Sequence, residues 1–263
     1  MEPKISIITI NYNNKIGLLD TIKSVIVQSY DNYEFIIIDG NSNDGSKDVI
    51  YEHKTYLTYS VSEADNGIYH AMNKGTRKAK GEYLLYLNSG DTLYNKNVLK
   101  DIVPHLTSSV DICYANINYV GKDYSWTKDY SKEIINFDFF VKDTLPHQAS
   151  FIKNSMLNNL SFPYDETLKI CADWKFFIDA IIKNNASLKH APVIVSNYNF
   201  DGFSSLPENK SIIILERLNV LMKDYAELFA SSFDNLLKIQ AKYNNFSRSR
   251  PIKAYLKLRN KFS

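Results

Sequence analysis

An α/β fold built on a mostly parallel sheet is what this sequence predicts, and three observations carry it. Short apolar runs without alternation recur through the first hundred residues, helical patterns separate them, and every run ends in a polar cluster. Strands covered on both faces have no reason to alternate, and parallel neighbours need a crossover helix between them.

The first run is Ile5 to Ile10, and Leu18, Ile22, Val25 and Ile26 follow at i, i+4, i+7 and i+8, one face of a helix. Phe35 to Ile38, Tyr56 to Val61 and Tyr83 to Leu87 read as the next three strands. Ile68, Met72, Gly75 and Ala79 set the helix between the last two. At the strand ends stand Asn11-Tyr-Asn-Asn14, Asp39-Gly-Asn-Ser42, Ser62-Glu-Ala-Asp65 and Asn88-Ser-Gly-Asp91. Each alone is an ordinary turn, with Asn, Asp, Ser and Gly supplying local hydrogen bonds and permissive dihedrals. Loops leaving parallel strands at their carboxyl ends share one rim, so the four together predict a polar pocket. Further on, Asp111 to Tyr119 reads as a strand and Thr144 to His147 as a loop. Ala172 to Lys183 reads as a helix with Trp174, Phe177, Ile178, Ile181 and Ile182 as its apolar stripe, and helical patterning returns from Pro207.

With 263 residues and 44% hydrophobic content the chain can bury a substantial core. A net charge of +2, with aromatics not interleaved with basic residues, gives no footprint for nucleic acid. Cys113 and Cys171 lack metal-ligand spacing and read as free thiols in a reducing compartment. MEPKISIITI enters a strand pattern at once, unlike a signal peptide, and no apolar run reaches the roughly 18–20 residues that span a bilayer. The expectation is a cytoplasmic protein, or one peripheral on the inner face of the plasma membrane.

Motif chemistry narrows the function. There is no G-x-G-x-x-G turn, Walker lysine, G-x-S-x-G elbow or H-E-x-x-H pair. The rim instead gathers Asp39, Asp65 and Asp91, acceptors suited to nucleoside donors and to a hard divalent cation completed by diphosphate oxygens.

Five blocks in order, SIITINYNN, IIIDGNSNDGS, SEADNGIYHAMNKG, KGEYLLYLNSGD and CADWKFF, resemble family 2 inverting glycosyltransferases of the GT-A fold over roughly residues 4–200. That resemblance implies a GT-A domain over 1–205, its nucleotide-binding half about 1–95 and its acceptor half about 96–205, with a helical extension over 206–263. It implies Mn²⁺ or Mg²⁺, a UDP-linked sugar donor, and a glycan or polyprenyl-linked glycan acceptor in bacterial polysaccharide assembly.

Residue by residue, the resemblance places Thr9, Asn11, Asp39 and Asp65 around the nucleoside. Asn73, Lys74 and Arg77 fall toward the diphosphate, and Asp91 on the metal. Where relatives carry the first acid of an Asp-x-Asp motif this chain has Ser89, which keeps only a hydroxyl to offer. Asp173, opening the helix with Trp174 beside it, is the expected base for the acceptor hydroxyl. His147, His70 and Trp174 are expected near donor and acceptor. Two other readings stay open on the same residues: a nucleotide-sugar-binding scaffold without catalysis, motivated by Ser89 and the unpaired Asp173, and a sugar-nucleotide pyrophosphorylase, whose Gly-rich loop is missing. Residues 247–263 carry six Lys or Arg, no acid and interleaved apolar residues, a basic amphipathic pattern suited to an anionic membrane surface.

Overall fold

A computed structural model describes residues 4–158, 163–199 and 209–232. Strand and helix alternate through its first half: β1 (Ile5–Asn11), α1 (Lys15–Ile26), β2 (Tyr33–Asp39), α2 (Ser46–Glu52), β3 (Tyr59–Ser62), α3 (Ile68–Lys78) and β4 (Tyr83–Tyr86). The order β3-β2-β1-β4 is parallel throughout. β1 is buried at all seven positions, as its unbroken apolar run requires.

The third strand is shorter than the sequence predicts. Lys54–Tyr56 forms a 3₁₀ turn and pairing starts only at Tyr59, because β3 is the sheet edge and alternates between half-buried and exposed residues. Only one of its faces is covered, so the apolar run Tyr56 to Val61 overstated it.

Beyond β4 the sheet is mixed. It continues through β5 (Thr92–Leu93), α4 (Val98–Ile102), β6 (Ile112–Val120), β7 (Ser125–Lys128), α5 (Phe137–Lys142), β8 (Ser150–Lys153), α6 (Asn154–Asn158), α7 (Ala172–Ile178), β9 (Leu188–Asn199) and α8 (Lys210–Asp224). β8 joins β4 to β6 antiparallel, β9 runs parallel to β6, and β5 and β7 pair antiparallel with β9 and β6.

α3 lies close on β1: a Cβ at Gly75 would come within 2.5 Å of the Ile8 side chain, so glycine is what lets the helix approach. α3 leaves the rim at Ile68 and runs back, ending where Lys78 Nζ sits 4.9 Å from the Tyr59 ring at the start of β3. Two compact units divide the chain inside α8, one ending at Arg217 and the other beginning at Leu218. Residues 247–263, the basic tail, lie outside the described residues.

Candidate active site

In-register pairing brings Asn11, Asp39 and Ser62 side by side at the ends of β1, β2 and β3. Asp39 is 0% exposed and fully engaged. Its Oδ1 accepts from Asn11 Nδ2 (2.7 Å) and Ser42 Oγ (2.6 Å), and its Oδ2 from Ser42 N (2.9 Å) and the Ser62 hydroxyl. Burial alone would raise its pKa, but the donors of Ser42, Ser62 and Asn11 outweigh it and hold the carboxyl below its ordinary range. Thr9 is equally committed, its hydroxyl donating to Leu87 O at 2.7 Å. Asn11 Oδ1, by contrast, is buried with no hydrogen-bond partner among the described residues. Asp65 bends over Gly40, where a Cβ would stand 2.7 Å from Asp65 Oδ2, while its Oδ1 accepts from Gly67 N at 3.0 Å.

The β4 end has different chemistry. Leu87 and Ser89 extend the pairing with β1 through bonds to Ile8 O and Ile10 O. Gly90 then turns at φ +102, a dihedral that favours glycine, with its N–H on Thr21 Oγ1 at 3.0 Å. Ser89 Oγ and O both accept from Asn14 Nδ2.

Asp91 is 5% exposed, and Oδ1 accepts from Asn199 N at 3.0 Å. Burial pushes its carboxyl up to about 6, against the opposing influence of the Asn199 amide, His147 and Gln148. Next to it, Asn88 Oδ1 is buried without a partner among the described residues.

A hydrogen-bonded chain joins this strand end to α7. Asn88 Nδ2 lies 3.2 Å from His147 Nε2, and His147 Nδ1 lies 3.0 Å from Asp173 Oδ2. The pattern assigns the tautomer: the amide donates to Nε2, so Nδ1 carries the proton given to Asp173. Tyr69 OH stands 3.2 Å from Asp173 Oδ1 and also reaches Ile170 O. Burial would raise Asp173, yet His147, the Trp174 amide and Tyr69 hold its carboxyl below the ordinary value. The backbone entering α7 is fixed from α8, where Glu216 accepts from Lys169 N (2.6 Å), Ile170 N (3.0 Å) and Cys171 N (3.0 Å).

Several predicted residues are placed away from this cluster. Asn73 is 0% exposed and clasps the segment before α7, bonding Tyr164 N, Tyr164 O and Glu166 Oε1. Arg77 is nine residues along α3 from Ile68, about 13 Å toward the opposite edge of the sheet. Expected on the diphosphate, Asn73 and Arg77 stand on a helix that runs away from the rim. Lys74 pairs with Glu63 at 2.8 Å and donates to Ala64 O. Trp174, expected near donor and acceptor, is 1% exposed and faces the core, its Nε1 on Phe140 O at 2.9 Å and Arg217 over its ring. His70 stays in the first turn of α3 and accepts from Asn66 N at 3.1 Å. Four residues were missed. Asn88, Gln148 and Tyr69 sit inside or beside motifs already singled out, whereas Glu216 carries no local signal.

Among the described residues no three His, Cys, Asp or Glu side chains gather to hold a metal. One carboxylate with an unpartnered amide oxygen fits a hard ion that draws most of its shell from a diphosphate and water, but not an all-protein cage.

A parallel β3-β2-β1-β4 sheet continued by a mixed sheet, with acids collected at the strand ends, defines the GT-A class of fold. Covering 84% of this chain, S. aureus TarS 1-349 in complex with UDP matches it with a TM-score of 0.64 at 19% identity; the chain spans 66% of that fragment and 40% of a longer TarS chain. A Pyrobaculum calidifontis mannosyltransferase in complex with GDP-Man and Mn²⁺ matches 97% of this chain and 83% of its own, with a TM-score of 0.56 at 15% identity. In sequence, a Mycobacterium tuberculosis PGL/p-HBAD biosynthesis glycosyltransferase is 25% identical over 217 residues, 80% of this chain and 83% of the relative. The chain belongs to glycosyl transferase family 2, whose family model matches residues 6–170.

Proposed function

We propose that the chain is an inverting transferase that moves a sugar from a UDP-linked donor to a glycan or lipid-linked glycan acceptor in cell-surface polysaccharide assembly. One observation carries this reading: His147 bonds Asp173 on one side and Asn88 on the other, and the Asn88 carbonyl accepts from Asp91 N at 3.0 Å, so a candidate base and a candidate metal ligand belong to one cluster.

Asp173 is ionised at neutral pH and keeps lone pairs beyond those used by His147 and Tyr69, so it can accept the acceptor hydroxyl proton. As the new glycosidic C–O bond forms, the bond from the anomeric carbon to the phosphate oxygen breaks, and the nucleoside diphosphate leaves with the electron pair. His147 positions the carboxylate. Asn11 Oδ1 and Asp65 Oδ2 are the acceptors that the first rim leaves for nucleoside donors. Asp91 and Asn88 would hold a Mn²⁺ or Mg²⁺ ion, which when bound neutralises diphosphate charge. The relatives support this donor class, one structure holding UDP and another GDP-Man with Mn²⁺.

Asp173→Asn tests the reading. Transfer should fall on the order of 10² to 10⁴-fold while UDP affinity is kept. Loss of UDP binding in the variant would remove Asp173 from the base role.

A further inference from the structure

The last turns of β6, β7 and β9 sort their side chains by sheet alternation. Pairing sets Thr127 opposite Asn118, Asn118 beside Asn197 and Asn197 opposite Thr92, and hydrogen bonds run across that whole row. The next register position carries Trp126, Tyr119 and Tyr198 on the opposite face. Tyr119 and Trp126 stack with centroids 4.3 Å apart and planes at 11°, and Tyr198 meets Tyr119 edge-on at 5.5 Å. Trp126 remains 47% exposed, and Tyr124 is exposed at the adjoining turn, its ring against Gly121.

This aromatic shelf adjoins the cluster along two routes. Tyr198 precedes Asn199, whose N–H bonds Asp91. Lys128 pairs with Asp143, and the Tyr130 hydroxyl stands between the Tyr119 hydroxyl and the Thr144 carbonyl, tying the shelf to the segment that delivers His147. A second protein would be met by a broad apolar patch. Here the exposed element is one flat indole, stacked on Tyr119 and met edge-on through Tyr119 by Tyr198, while Ser125 and Thr127 point to the other face of the sheet, and its size suits a ligand with one apolar ring face.

We infer that Trp126, backed by Tyr119 and Tyr198, is an acceptor subsite that stacks a pyranose ring of the glycan being extended. The C–H hydrogens of a pyranose face match the negative face of the indole, while ring hydroxyls project to solvent and to the hairpin. This rests on the transferase reading, and names for it the residue that selects the acceptor.

Saturation-transfer NMR tests it on the whole chain with UDP present, using chitotetraose, cellotetraose and a galacturonate tetramer as probes. Binding of at least one probe is expected, with transfer to its ring C–H protons. W126A should weaken that binding about tenfold, and W126Y should retain most of it. The UDP isotherm and melting temperature of W126A should match the parent, separating this role from a structural one. Unchanged oligosaccharide binding in W126A, or no binding of any probe by the parent, overturns the subsite. Trp126-dependent oligosaccharide binding without UDP binding would leave the subsite standing and sink the donor assignment instead.

Discussion

Asp39 and Asp91 are the same residue type, both buried at the carboxyl end of the parallel sheet, yet their surroundings drive them in opposite directions. Asp39 receives four hydrogen bonds from Asn11, Ser42 and Ser62 and is held ionised well into acid. Asp91 has fewer donors, and burial lifts it to about 6. At the β1–β2–β3 corner Asp39 is saturated and the Asn11 amide oxygen is left without a donor, whereas at the β4 corner Asp91 has donors from Asn199 and Gln148 and the Asn88 amide oxygen has none among the described residues. Hydrogen-bond donors outweigh burial at Asp39 and fail to do so at Asp91, and that balance separates the two carboxylates.

The sharpest way to break this contrast is Asp39→Ala. Stripping the acceptor from three buried donors should cost about 4 kcal/mol in urea unfolding at pH 7. Because its folded pKa is depressed, that stabilisation is present above the unfolded pKa and is lost as pH falls through the folded one, so the parent's advantage should vanish in strong acid.

Asp91→Asn should act with the opposite sign. A raised pKa means the ionised carboxylate costs stability, fully so above about 6 and not at all below the unfolded value. The amide should therefore raise stability by about 2 kcal/mol at pH 7.5 and by little near pH 4. Metal-dependent UDP binding should be lost in the variant, and in the parent should decline as pH drops through about 6. A destabilised Asp91→Asn would refute the contrast.

The smallest effect belongs to Ser89→Ala, which removes a hydroxyl already engaged by Asn14. UDP affinity should fall only two- to threefold, roughly 0.5 kcal/mol, by titration calorimetry.

Most of the parallel half of the sheet was legible, because local signals there coincide with the fold. Unbroken apolar runs gave β1, β2 and β4, and loops at carboxyl ends of parallel strands had to converge. Helix direction was the hidden variable for NKGTRKAKG: the motif is contiguous in sequence, but each helical residue moves it about 1.5 Å from the rim. Trp174 faces the core for a related reason, since adjacent helical positions diverge by about 100° and the neighbour of a rim residue turns inward. Across β6, β7 and β9 the aromatic residues are scattered at 119, 126 and 198, and only strand register stacks them.

By itself the sequence determined the parallel half of the sheet, the four polar strand ends and the acids Asp39, Asp65, Asp91 and Asp173 as candidates. Periodicity and turn chemistry are local, and each strand end is written in a few consecutive residues. What only the tertiary structure decided is how many donors each acid receives and from where. That depends on donors from Ser62, His147, Asn199 and Tyr69, brought together by pairing and packing over tens to more than a hundred residues. Carboxylate chemistry is set by those neighbours, and their proximity has no signature in the chain before it folds.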